Sequence, residues 1–205
     1  MGAIKDKQLN NVKKFYYRDK LSMKEVADRM DTTIEAVIYF MRRNNLKRRT
    51  FQETNKIRFE KTPLSFEKAD ISTEYLKELE IIGMMLYWGE GFKSEKCKVV
   101  DLANSDPKMI LIFLNFLRKI FQVDETRLRV YLYCHSNQQS SDLINFWSNL
   151  TRIPSKQFCK PYIRQDYDIN KREMKYGLVH IRYSDKRLIQ EIKKSIEAYK
   201  IKYAN

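Results

Sequence analysis

Residues 79–94 read L-E-I-I-G-M-M-L-Y-W-G-E-G-F-K-S, and Ile81 to Gly89 carry no charge. An apolar run of this kind, read as a helix, has to be covered by other apolar surface. It reaches only about half of the ~20 residues that a membrane span needs, so the cover is expected to be protein. The run closes on one carboxylate, Glu90, held between Gly89 and Gly91. An acid at a helix C-terminus is disfavoured by the helix dipole, by roughly 0.3–1 kcal/mol. Glu90 is therefore either a solvated helix-end acid or one kept there for a use.

The chain around this helix is basic. Its 205 residues include 40 Lys/Arg and 26 Asp/Glu, for a formal net charge of +14. A pI near 9.6 points to a polyanionic partner. The excess is evenly spread, with 17 Lys/Arg against 10 Asp/Glu in residues 1–70 and 23 against 16 in the rest. Both parts are thus candidates for touching nucleic acid. The length suits one or two domains, and 13 Tyr with 11 Phe supply a real core. The N-terminal M-G-A-I-K-D has no apolar signal region, and Asp6 stands where myristoylation requires Ser or Thr. The expectation is a cytoplasmic, DNA-associated protein with no membrane partner. Cys97, Cys134 and Cys159 form no C-x-x-C and match no zinc spacing, so they read as free thiols.

Residues 8–19 place Leu9, Val12 and Tyr16 on one helical face. Ser22 followed by Glu25 is a capping box for a short helix, M-K-E-V-A-D-R-M. A tight turn, D-T-T, precedes a second helix capped by Thr33. The expected inward positions are Val26, Ala27, Met30, Val37, Ile38 and Met41. This spacing resembles the helix-turn-helix of the homeodomain-like, resolvase and transposase group. Asp31 stands where that group usually has Gly, and Asp tolerates the left-handed conformation moderately well.

The resemblance makes the second helix a recognition helix for the major groove of double-stranded DNA. Its outward face offers Thr33, Glu35, Tyr39, Arg42 and Arg43. Glu can accept from a cytosine amino group and Arg can pair with guanine. Lys47, Arg48 and Arg49 follow directly and suit phosphates. Residues 51–72 lack clean periodicity, contain Pro63, and read as a basic linker in which Lys56 and Arg58 track the DNA backbone. The expected division is a domain over 1–50, a linker over 51–72 and an α+β domain over 73–205.

In the last part, helices are expected over 74–88, 107–121, 141–151 and 185–202, and strands over 97–103, 127–135, 157–164 and 175–183. Residues 99–113 match 178–192 at a constant offset of 79, with Ser105-Asp106 on Ser184-Asp185. A strand feeding a capped helix therefore occurs twice, which suggests a pseudo-twofold unit. Asp106 and Asp185 read as helix caps.

The apolar helix ending in G-E-G, followed by this repeat, resembles the LAGLIDADG homing-endonuclease fold over about residues 74–200. The resemblance implies an α/β sandwich in which an antiparallel sheet lies over DNA. It also implies that a single-motif chain works as a homodimer through the motif helix. Glu90 then occupies the place of the catalytic, metal-binding acid, with Mg2+ as cofactor if the chain is a nuclease. Arg127, Arg129 and Tyr131 alternate along one strand and suit an outward face laid on DNA. Lys93 either polarises a metal-bound water or is a solvated loop lysine. Met85, Tyr87 and Trp88 replace the small or medium residues of the family motif, and Glu replaces the commoner Asp. The expectation is a sequence-specific DNA-binding protein that is either a divalent-metal-dependent endonuclease or a non-catalytic transcription regulator on the same scaffold.

Overall fold

The structure, a computed structural model, describes residues 4–165 and 174–204. It divides into two compact units, Met1–Pro63 and Leu64–Asn205. Together they form a mixed α+β protein with an open four-stranded sheet.

The first unit is all helical. A single tight turn leads into α1 (Leu9–Lys13), which widens into a π turn over Lys14–Arg18. Helix α2 (Met23–Arg29) opens on the expected capping box. The Glu25 amide donates to Ser22 Oγ at 3.2 Å, and the Ser22 amide donates back to the Glu25 carboxylate at 2.6 Å. Helix α3 (Ile34–Arg43) is capped by Thr33, whose hydroxyl accepts from the Ala36 amide at 3.2 Å. Between the two helices Asp31 sits at φ +49°, in the left-handed region. Val12, Tyr16, Val26, Ala27, Val37, Phe40 and Met41 make the core. Ile38, expected inward, is only half-buried. Val37, Phe40 and Met41 share one helical face at the i, i+3, i+4 spacing, and Phe40 takes the inward place.

The linker expected over 51–72 is corrected. Residues 51–61 form α4 (Phe51–Lys61), opened by another capping box between Thr50 and Glu53. None of its residues is buried, which is why no apolar period announced it. The cap and an ion pair at 3.3 Å between Lys20 and Glu60 hold it instead. Residues from 64 onward belong to the second unit. The Glu67 and Ala69 amides donate to the Phe121 and Ile120 carbonyls at 3.0 and 2.8 Å.

The second unit runs α5 (Glu74–Glu90), β1 (Val100–Asn104), α6 (Pro107–Ile120), β2 (Leu128–His135), α7 (Ser140–Thr151), β3 (Tyr162–Arg164), β4 (Leu178–Tyr183) and α8 (Lys186–Tyr203). The sheet order is β1-β4-β2-β3. Strand β4 pairs antiparallel with both β1 and β2, and the expectation of an antiparallel sheet is corrected at one edge, where β3 pairs parallel with β2. Helix α7 lies in the crossover between those strands, and a long crossover is what parallel neighbours require. Strands β1 and β4 pair antiparallel, with Leu102 opposite Ile181. These two residues are also equivalents in the 79-residue repeat. The register is therefore symmetric about them, and each strand feeds a helix capped by Asp, Asp106 for α6 and Asp185 for α8.

One core joins the inward strand residues to the helices. It includes Val100, Leu102, Val130, Leu132, Val179 and Ile181 with Tyr87, Phe113, Phe116, Trp147 and Ile192. Helices α5 and α6 approach closely at Gly83, where an added Cβ would lie 2.2 Å from Cγ of Phe116. Gly83→Ala is expected to destabilise the protein by about 1–3 kcal/mol in chemical denaturation, because overpacking outweighs the better helix propensity of Ala.

Asp185 is 5% exposed and caps α8 while its carboxylate accepts from Ser65 Oγ at 2.7 Å and pairs with Arg187. Burial raises its pKa, but the hydrogen bonds from Arg187 and Ser65 more than offset this and hold it below the usual value. Its contribution is then present above the unfolded-state pKa and is lost as pH falls through the lower folded value. Asp185→Asn is expected to lower stability at neutral pH, with the gap to wild type closing as unfolding is followed from about pH 6 down to about pH 2.

Candidate nucleic-acid interface

The end of α5 is built by Tyr87. Its ring is buried in the core and its hydroxyl donates to the Phe92 carbonyl at 3.0 Å. Burial pushes the phenol pKa well up, so the hydroxyl stays a neutral donor. Gly91 lies against that ring, and an added Cβ would sit 2.5 Å from both the ring and the Tyr87 carbonyl. Close approach therefore demands Gly here, with the backbone in ordinary extended geometry. The Phe92 amide then donates to the Asp101 carbonyl at 2.8 Å, and Gly91 bridges antiparallel to Leu102. The helix thus passes straight into the edge of the sheet.

Glu90 is exposed at that edge. It lines a cleft of about 330 Å³ with Gly91, Phe92, Asp101, Ala103, His180 and Arg182. Lys93 does not face this chemistry. Its ammonium caps the end of α5, donating to the Trp88 carbonyl and to the Gly89 carbonyl at 3.2 Å. That cation at the helix C-terminus offsets part of the dipole penalty on Glu90.

Away from the core, the sheet shows Arg129, Tyr131 and Tyr133 on β2, Asp101 and Ala103 on β1, and His180 and Arg182 on β4. Asp101 organises this face. The residue is 7% exposed, and its carboxylate accepts from Arg182 Nε at 2.6 Å and meets His180 Nδ1 at 2.9 Å. The Arg182 guanidinium lies 4.3 Å from the Tyr131 ring centroid. Burial works against the charge of Arg182, and Asp101 more than compensates, so its pKa moves up. Tyr133 packs beside His180 and Tyr162, with ring centroids 5.0 and 5.3 Å away.

The remaining candidates divide by what they touch. Arg129 is exposed on the same face and donates to the Thr126 and Leu128 carbonyls. Arg127 donates to the Ser184 carbonyl and lies over the Tyr183 ring. In the helical unit Glu35, Tyr39, Arg42 and Arg43 are exposed on α3, with Arg42 over the Tyr39 ring at 5.7 Å. Arg43 pairs with Asp6, and Thr33 spends its hydroxyl on the cap. Lys47, Arg48, Lys56 and Arg58 are exposed. Arg49 is turned inward, over the Tyr16 ring at 4.1 Å and donating to the Leu21 carbonyl, so it clamps the core.

Asp101, His180 and Arg182 were not singled out by sequence reasoning. The signal was present in the strand alternation, which sends 101, 180 and 182 to the face opposite Leu102, Val179 and Ile181. Among the described residues no group of three His, Cys, Asp or Glu side chains could hold a metal ion, and no helix is long and apolar enough to cross a membrane. No protein-family model, curated protein or solved structure matches the chain.

The two glycines around Glu90 are expected to respond in opposite directions. Gly91→Ala should cost roughly 1–3 kcal/mol by forcing Tyr87 aside. Gly89, where an added Cβ meets nothing within 4 Å, should tolerate Ala and gain up to about 1 kcal/mol of helix stability in thermal or chemical melts.

Proposed function

We propose that the protein binds double-stranded DNA sequence-specifically, with a helix-turn-helix unit joined to a LAGLIDADG-like unit. The observation that carries this reading is the polar face of the sheet. It presents Arg129, Tyr131, Tyr133, His180 and Arg182 around the buried Asp101, with Glu90 at its edge, and such a face of arginine donors and aromatic rings suits a nucleic-acid partner. The helical unit supports the same reading. Its α3 exposes Glu35, Tyr39, Arg42 and Arg43 and is followed by exposed Lys47 and Arg48.

The LAGLIDADG-like assignment rests on the G-E-G end of α5 and on element order. A bridge at Gly91 and strand β1 follow α5, then come α6, the remaining strands and α8, with α7 as an addition. Ile81, Ile82 and Trp88 on α5 are 44%, 50% and 40% exposed, a face suited to a second copy of the chain in a homodimer. Tyr87 points into its own core and does not stand in the way of such a crossing.

In the nuclease reading Glu90 supplies one carboxylate to Mg2+. That fits an ion held by one or two carboxylates together with water and phosphate oxygens. Bound there, the metal would activate water and neutralise the phosphate. A second reading, a non-cleaving regulator on the same scaffold, is favoured by two contacts. Asp101, the other carboxylate of the cleft, is committed to Arg182 and His180, and Lys93 is committed to the end of α5.

Selection from a random duplex library, with recovered DNA assayed for breaks in Mg2+, tests both. Enrichment of a long site by the wild type is the expected outcome. Cutting that Glu90→Gln abolishes with binding retained identifies the nuclease, and an intact bound site identifies the regulator. Binding no stronger than nonspecific, collapsing with salt, would sink the proposal.

A further inference from the structure

We infer that Arg182 reads a guanine in the bound DNA, and that Asp101 is its positioning residue. This rests on the DNA-binding reading above and adds which side chain carries specificity and for which base.

The geometry at Asp101 is unusual for a surface arginine pair. The Asp101 side chain is 9% exposed, so water competes little for it. Both its oxygens are occupied, Oδ2 by Arg182 Nε and Oδ1 by His180 Nδ1, so it cannot rotate without losing a partner. The Arg182 guanidinium is further fixed by the Tyr131 ring at 4.3 Å. Side-chain entropy is usually lost when a long arginine binds a base. Here most of that ordering is already present in the free protein.

Nε is committed to Asp101 and the guanidinium also makes a hydrogen bond with Tyr131, which leaves further N–H donors on Nη1 and Nη2. Two parallel N–H donors match the O6 and N7 acceptors of guanine in the major groove, and they match no other base as a pair. A phosphate would accept the same fork, but two observations favour the base. The negative charge of Asp101 cancels that of Arg182, which weakens the long-range pull on a polyanion. Arg182 also stands on β4, an interior strand between β1 and β2, with Asp101 opposite it on one side and Arg129 on the other. Arg127 and Arg129, by contrast, donate to backbone carbonyls.

The test starts from sites selected by the full-length wild-type protein. Each guanine in the enriched site is replaced by 7-deazaguanine, which lacks the N7 acceptor, and the selection is repeated with Arg182→Lys, Asp101→Asn and, as a control, Arg42→Lys. One guanine position is expected to lose roughly ten- to a hundred-fold discrimination in Arg182→Lys. The same position should weaken in Asp101→Asn, should remain in Arg42→Lys, and should be sensitive to 7-deazaguanine with the wild type. The deaza substitution needs no altered protein, so a misfolded variant cannot obscure the answer. A site with no deaza-sensitive guanine overturns the inference and leaves the DNA-binding reading standing. So does an Arg182→Lys variant that binds every sequence more weakly by the same factor, with a salt slope reduced by about one, because that is a phosphate contact. Absence of any enrichment by the wild type overturns the inference and the reading together.

Discussion

The second unit depends on a sheet whose helices feed a single core. Strands β1, β2 and β4 each place alternate residues in that core, Val100 and Leu102, Val130 and Leu132, Val179 and Ile181. The period of two then sends every intervening side chain to the other face. A one-residue slip of β4 would bury His180 and Arg182 and expose Val179 and Ile181, which is why the register is fixed. The polar face is thus a by-product of the core. Its composition, however, is not dictated by packing, and there arginine, tyrosine and histidine are gathered around one buried aspartate.

The same constraint sets the position of Glu90. Gly83 lets Phe116 close on α5, Tyr87 anchors the last turn, and Gly91 lets the chain pass over that ring into the sheet edge. Two residues of the helix and the glycine just after it therefore deliver its terminal acid to the rim of the polar face. The outer side of α5, with Ile81, Ile82 and Trp88, stays partly exposed, with the Lys200 ammonium of α8 over the Trp88 ring. A helix that is apolar nearly all round divides its surface between its own core and an exterior that still shows apolar area.

Much of this was legible in the residues. The Ser22–Glu25 box, the Thr33 cap and the turn at Asp31 each carry a local signature, and each appears in the structure with the geometry that signature demands. The 79-residue echo was also readable, and it coincides with the symmetric pairing of Leu102 with Ile181. Helix α4 was not legible, because it buries nothing and so has no apolar period. The parallel pairing of β3 was not legible either, since three residues carry too little pattern to fix a direction. The inward turn of Arg49 depends on Tyr16 and Leu21, distant in sequence, and Arg49 looked like its neighbours Lys47 and Arg48. Asp101 escaped for a related reason. A lone acid in an apolar strand is ordinary until the side chains it meets are known.

Those partners arise where the repeat has lost its symmetry. Position 101 carries Asp where its equivalent carries His180, and position 103 carries Ala where its equivalent carries Arg182. Asp101 faces Arg182 across the pair, and Ala103 faces His180. Loss of Asp101 alone would strand a cation against a half-buried face, and loss of Arg182 alone would leave a buried carboxylate short of a donor. The three positions are therefore not free to drift one at a time. In any lineage descended from this chain, exchange at 101 should be accompanied by exchange at 180 and 182, and the substitutions should travel as a set.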